Sequence, residues 1–146
     1  MPFSQATKYC IRAVLYLAEH GGEKPVMSRQ IAKALQVPEP FLAKILQQLS
    51  KRGLLCSFKG RGGGFVLARP ASQIHLGEVV EAVEGSQFGE ECILGLEACS
   101  SADPCQLHAQ WSRFKAEMLE VFSQQSIDKV LQEALDSKNR KRVGPA

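Results

Sequence analysis

The 146 residues carry 18 Lys or Arg, 15 Asp or Glu and five cysteines, with 45% hydrophobic residues; this suits one compact unit with a modest core. No run of 18 apolar residues exists to cross a bilayer, and the N-terminus lacks the basic flank and apolar stretch of a secretory signal, so the chain is expected to be soluble and cytoplasmic, with no membrane partner. The net charge of +3 hides an asymmetry: residues 1–75 hold eleven bases against three acids, and residues 76–146 hold seven against twelve. A nucleic-acid-binding region followed by a regulatory region has this pattern, and so does a protein with an ordinary solvated basic surface, so placement must decide.

The segment from Ser4 to His20 repeats Ala6, Cys10, Ala13, Val14, Leu17 and Ala18 at helical spacing and stops at Gly21-Gly22, which predicts an amphipathic first helix with Cys10 as a small core residue. A short second helix follows, with Ser28 as its cap and Ile31, Ala32 and Leu35 facing inward. After the break at Val37-Pro38, Pro40 sits in the first turn of a third helix that runs to Gly53. Its apolar stripe is Leu42, Ile45, Leu46 and Leu49, so Pro40, Lys44, Gln47 and Lys51 share the opposite face. That face is basic and free of carboxylates. It suits the major groove, where lysines reach phosphates or guanine and a glutamine pairs with adenine.

The runs LLCSFK and FVLAR flank GRGGG and predict a β-hairpin with a basic tip, a wing, with Cys56 packed in its first strand. Lys59 and Arg61 supply charge that a narrow minor groove attracts, and glycines at 60, 62, 63 and 64 allow close backbone approach. No Lys-Ser/Thr pair follows the glycines, which excludes a P-loop. The candidate DNA-facing set is therefore Ser28 and Arg29 at the start of the second helix, Pro40, Ala43, Lys44, Gln47 and Lys51 on the third, and Lys59, Arg61, Gly62 and Gly63 in the hairpin.

Leu76, Val79, Val80 and Val83 predict a short core helix. The stretch from Ser86 to Asp103 has no sustained period and reads as a loop of functional length. Asp103 and Pro104 form a cap and first-turn pair for a long helix, whose seam Leu107, Trp111, Phe114, Met118 and Val121 follows spacings of 4, 3, 4 and 3. Such a seam predicts a homodimer; a core helix within one chain is the alternative. A last short helix, 126–135, and a disordered basic tail, 137–146, complete the expectation, with 76–136 as the regulatory region. The fold class is mainly α with a small β-hairpin: a winged helix-turn-helix plus a long dimerisation helix.

Cysteines in a reducing cytosol point to metal or redox chemistry rather than disulfides. Cys92, Cys99, Cys105 and His108 are separated by six, five and two residues, giving three thiolates and an imidazole for zinc or an iron–sulfur cluster. Cys105 and His108, three apart in the first turn of the predicted helix, would face one centre. Structural zinc sites favour closer cysteine pairs, and a thiol switch would leave His108 without a role.

The order SRQIAKALQVPEPFLAKILQQLSKRGLL, KGRGGGFVLAR, LGEVVEAVEG, three spaced cysteines and HAQW resembles the Rrf2 family of transcription regulators, in its IscR/NsrR-like branch, over roughly residues 1–135. The resemblance implies a dimeric winged-helix regulator of double-stranded DNA with a pseudo-palindromic operator. It also implies cluster ligation by Cys92, Cys99 and Cys105, although the first gap is one residue longer than in IscR-type members. His108 falls on the IscR-type histidine ligand, whereas Lys8 stands where NsrR-type members place an aspartate, and Ala43 where IscR-like members carry a base-contacting glutamate. The mixed ligand set inclines toward a 2Fe–2S cluster, with 4Fe–4S open and zinc the alternative. Two rival functions remain: a cluster-free thiol- or zinc-dependent regulator of the same fold, and a small iron–sulfur carrier. No nucleophile–base pair or paired carboxylates suggest an enzyme.

Overall fold

The computed structural model describes residues 3–85, 88 and 90–143, the last five of these by backbone alone. Six helices and one hairpin follow in order: α1 Gln5–His20, α2 Ser28–Leu35, α3 Glu39–Lys51, β1 Leu55–Phe58, β2 Gly64–Leu67, α4 Leu76–Glu84, α5 His108–Gln124 and α6 Ile127–Val143. The chain is thus mainly helical, with a winged helix-turn-helix in its first half.

The apolar stripes explain the packing. Cys10, Ala13, Val14 and Leu17 of α1 meet Ile31 of α2 and Leu42, Ile45, Leu46 and Leu49 of α3 in one cluster, which Ile74, Val79 and Ile127 also join. Each fully buried Leu or Ile contributes about 1.5–3 kcal/mol before entropy is counted. The basic and the acidic halves therefore share this core. A backbone bridge fastens them: the Leu76 amide donates to the Gln125 carbonyl at 2.8 Å, and the Ile127 amide to the Ile74 carbonyl at 2.8 Å.

Local caps hold the helix ends. Ser4 Oγ accepts from the Thr7 amide at 3.3 Å, and the Glu84 carboxylate at the far end of α4 accepts from the Ser4 amide, the Ser4 hydroxyl and the buried Thr7 hydroxyl. These hydrogen bonds outweigh desolvation and hold the Glu84 carboxyl below its ordinary value. At α2 the cap is Met27 rather than Ser28: the Gln30 Oε1 accepts from the Met27 amide at 3.2 Å, which starts the helix one residue earlier than the serine suggests. Gln36, with φ of 58°, makes the left-handed turn into α3.

In the hairpin, Leu55 pairs with Leu67 and Phe58 with Gly64. Val26 adds a third backbone pairing, its amide donating to the Phe65 carbonyl at 3.0 Å and its carbonyl accepting from the Phe65 amide at 2.8 Å. Gly64 is required there, because its φ is +143° and a Cβ would lie 2.4 Å from the Val26 carbonyl oxygen. Cys56, expected to be packed, is exposed, because the hairpin turns only Leu55 of β1 into the core.

Two helix boundaries differ from expectation. α5 begins at His108, not at Asp103-Pro104, because Ser100 and Asp103 exchange backbone hydrogen bonds of 3.2 Å in a small turn. The last helix continues past 135, and the backbone of 137–143 is helical where disorder was expected. Its lysines and arginines are good helix formers, and neither Gly nor Pro intervenes before 144; residues 144–146 lie outside the described residues.

Gly64→Ala is expected to destabilise the fold by about 1–3 kcal/mol, read as a lower midpoint in urea unfolding. Burial pushes the Cys10 thiol up to about 12, so the thiolate is scarce at neutral pH. Iodoacetamide should therefore label exposed Cys56 in the native protein and leave Cys10 unmodified until urea unfolds it, as peptide mass mapping will show.

Candidate metal centre and nucleic-acid interface

Two groups of side chains stand apart from the core. The first is the outward face of α3 with the wing. Pro40, Lys44, Gln47 and Lys51 are exposed together, as the helical spacing predicts, and Ala43 is half-buried beside them. The buried stripe of the same helix dictates this arrangement, since Leu42, Ile45, Leu46 and Leu49 fix its rotation. Arg29 is exposed at the start of α2, with Ser28 half-buried. Lys59, Arg61 and Gly62 are exposed at the tip of the hairpin. Gly63 is buried in the turn, where a Cβ would come within 2.3 Å of the Phe58 carbonyl oxygen, so turn geometry by itself demands a glycine.

A flank of α3 that spacing alone missed fixes the helix to its neighbours. Gln48 Nε2 donates to the Ala82 carbonyl at 2.9 Å, tying α3 to α4. Phe41 packs edge-on against Tyr9, with centroids 5.7 Å apart. Neither contact could be read from period, because each depends on where another helix lies.

The second group lies where the loop enters α5. Cys92, Cys99 and Cys105 bring their sulfur atoms within 4.8 Å of one another, all half-buried. Cys92 Sγ is 3.7 Å from Cys105 Sγ, and Cys99 Sγ is 3.4 Å from His108 Nδ1. The Cys105 amide donates to Cys99 Sγ at 3.5 Å. Cys105 precedes the helix rather than occupying its first turn, and the turn is closed instead by the His108 amide on the Cys105 carbonyl at 3.1 Å. The three thiols thus converge through loop folding, not helical register, and His108 lies outside their mutual group, meeting Cys99 alone.

The amides of Leu96 and Leu94 point at Cys92 Sγ and, with the neighbouring thiols, bring that thiol down to about 7. The Cys105 amide lowers Cys99 as well, but desolvation and the adjoining Cys105 and Cys92 thiols outweigh it and hold Cys99 above the ordinary thiol value. A cation bound between them would stabilise Cys92 and Cys99 together as thiolates. An open cleft of about 520 Å³ lies alongside, rimmed by Glu90, Glu91 and Glu97, whose charge favours cation entry.

The predicted seam of α5 is uncovered in the single chain. Leu107, Phe114 and Val121 are exposed by 43%, 51% and 53%, and none of the residues of α5 is buried. Trp111 and Met118 are half-buried. Leu107 is the residue before the helix rather than part of it. Trp111 stacks on Phe114 with centroids 5.5 Å apart.

Residues 3–133 match the Rrf2 family, described as an iron-dependent transcriptional regulator. The HTH-type transcriptional regulator IscR of Xenorhabdus nematophila is 31% identical over 142 residues, covering 96% of this chain and 86% of that protein. IscR of Photorhabdus laumondii is 32% identical, with the same coverage of both. Among solved structures, IscR of T. potens superimposes with a TM-score of 0.73 at 29% identity, over 92% of this chain and 88% of that one. A basic α3 face, a glycine wing and a three-thiol loop thus coincide with a family match over nearly the whole chain: the protein belongs to the Rrf2 family of transcription regulators.

Proposed function

We propose that the protein is a homodimeric regulator whose affinity for operator DNA is set by an iron–sulfur cluster on Cys92, Cys99, Cys105 and His108. The observation that carries this reading is the convergence of three thiols within 4.8 Å, with an imidazole 3.4 Å from one of them. Three soft donors and one nitrogen fit iron–sulfur ligation, and the mixed set inclines toward 2Fe–2S over 4Fe–4S. When bound, the cluster supplies sensitivity to redox state, iron–sulfur supply or nitric oxide. The chain's own residues do the rest: amides at Leu94 and Leu96 stabilise the Cys92 thiolate, and the acid rim draws in cations.

A second reading, a cluster-free regulator with a single zinc ion, is favoured by one specific observation. All three sulfur atoms lie within 4.8 Å of one another, Cys92 and Cys105 at 3.7 Å, close enough to share one tetrahedral ion with Zn–S bonds of about 2.3 Å. A cluster that divides the three thiolates between two irons requires one of them to move away from the other two. The exposed loop residues from Ile93 to Ala98 leave room for that.

For DNA, two protomers pair along Trp111, Phe114, Met118 and Val121, with Leu107 at the edge. They present two α3 helices to successive major grooves of a pseudo-palindromic operator. Lys44, Gln47 and Lys51 face the groove, with Pro40 and Ala43 at its floor and Ser28 and Arg29 near the backbone. Lys59 and Arg61 reach the flanking minor grooves, where Gly62 and Gly63 let the wing's backbone approach. This is a cytoplasmic role, and the described residues include no helix long and apolar enough to cross a membrane.

Protein purified without oxygen is expected to show visible charge-transfer absorption together with iron and sulfide. Cys99→Ala should remove most of the iron; unchanged iron content would sink the ligand assignment, and stoichiometric zinc without sulfide would establish the second reading. Duplex affinity should fall steeply with salt, and Lys51→Ala should reduce the slope of log K against log salt by about 1 per protomer contact while leaving base preference intact.

A further inference from the structure

The peptide carbonyl just before the first cysteine is held from α5 by two side chains. Trp111 Nε1 donates to the Glu91 carbonyl at 2.8 Å, and Lys115 Nζ donates to the same oxygen at 3.1 Å. Trp111 and Lys115 lie four residues apart, on one face of the helix. Lys115 Nζ also sits 6.0 Å from the centre of the Trp111 ring, so the two donors form one unit. On its other side Trp111 stacks on Phe114, which is half-exposed on the uncovered seam. Between the described loop residues, 88 and 90–104, and the side chains of α5, the other hydrogen bond is that of Cys99 with His108.

The geometry points to Trp111 and Lys115 as positioning residues that transmit the state of the thiol site to the seam of α5. The Glu91 carbonyl oxygen, the Cys92 amide and the Cys92 Cα lie in one rigid plane. A displacement of Cys92 Sγ on ligation that exceeds what rotation about its Cα–Cβ bond absorbs moves the Cα, and with it that plane, turning the carbonyl toward or away from the two donors. Made in one state and weakened in the other, the pair of hydrogen bonds gives the ligand the differential interaction that any shift of population requires. The indole that loses its acceptor is also the one stacked on Phe114, so the change arrives at the surface where the partner protomer is proposed to bind.

This inference rests on the regulatory reading above, and the experiment separates the two. Trp111 is the sole tryptophan of the chain, so at a protein concentration that holds the oligomeric state constant its emission reports the surroundings of this indole. Cadmium(II) is the probe, because its thiolate complex absorbs in the ultraviolet and the ion does not quench as an iron–sulfur cluster would. Full-length protein is titrated with cadmium without oxygen while thiolate absorbance and Trp111 emission are followed; operator fragments selected from random duplexes are then bound with and without the metal. Wild type is expected to shift its Trp111 emission as cadmium binds and to change its DNA affinity within the usual allosteric range of about 5- to 150-fold.

Lys115→Met keeps the stem over the ring but removes the donor, and Trp111→Phe keeps an aromatic ring without the N–H. Lys115→Met should bind cadmium and dimerise as wild type does, and in both variants, compared at protein concentrations where each is dimeric, DNA affinity should respond to the metal at least threefold less. A full wild-type response in both variants overturns the proposal, as does cadmium binding with no change in Trp111 emission. Emission change without any change in wild-type DNA affinity overturns it too, because the contact then transmits nothing. Failure of wild type to bind cadmium at the thiols overturns both this proposal and the regulatory reading beneath it.

Discussion

The burial of one stripe on α3 fixes most of what this molecule presents to its surroundings. Leu42, Ile45, Leu46 and Leu49 are held between α1, α2 and α4, so the helix has a single allowed rotation about its axis. The basic face is outward as a consequence, because 3.6 residues per turn leave Pro40, Lys44, Gln47 and Lys51 nowhere else to go. Gln48 on Ala82 and Phe41 on Tyr9 then secure the flank. A reading head built this way is preorganised: little side-chain freedom in the supporting stripe remains to be lost when a ligand is met.

The thiol site is built on the opposite plan. Few of its residues touch the core, and its order comes from short-range backbone bonds: the exchange between Ser100 and Asp103, the Cys105 amide on Cys99, and the His108 amide on the Cys105 carbonyl. Such a segment opens at low free-energy cost, as ligand-binding loops generally must. The contrast between a tightly supported α3 face and a locally ordered loop suits the regulation proposed, in which a signal must move one part without melting the other.

Helical periods and turn residues carried most of the fold. α1, α3, α4 and the hairpin were legible because each has a long apolar period or a glycine-rich break, and the exposed face of α3 followed from its stripe. The start of α5 was not: Asp103-Pro104 is a sound helix-opening pair, but its backbone is already committed to the loop turn. Ser28 lost the cap position to Met27, whose amide the Gln30 side chain holds. Cys56 was misplaced because a strand's period of two does not say which face is covered. For the thiol site, residue type and order pointed to Cys92, Cys99 and Cys105, which the fold brings within 4.8 Å of one another, and to His108, which the fold brings beside Cys99 alone. What the spacing could not give was the Glu91 carbonyl, because backbone acceptors leave no signature in side-chain identity.

The backbone bridge between 74–76 and 125–127 bears on how such a protein can change over time. Charge composition divides the chain after His75, yet Ile74 and Ile127 are both fully buried in the same core, one strand-like turn apart. The first half cannot be exchanged by cutting at the charge boundary, since the cut passes through shared packing. Diversification is channelled instead to places outside that core: exposed positions of α3, Lys59 and Arg61 of the wing, and exposed residues of 93–98. New operators and new signals can then arise by surface substitution on an undivided scaffold.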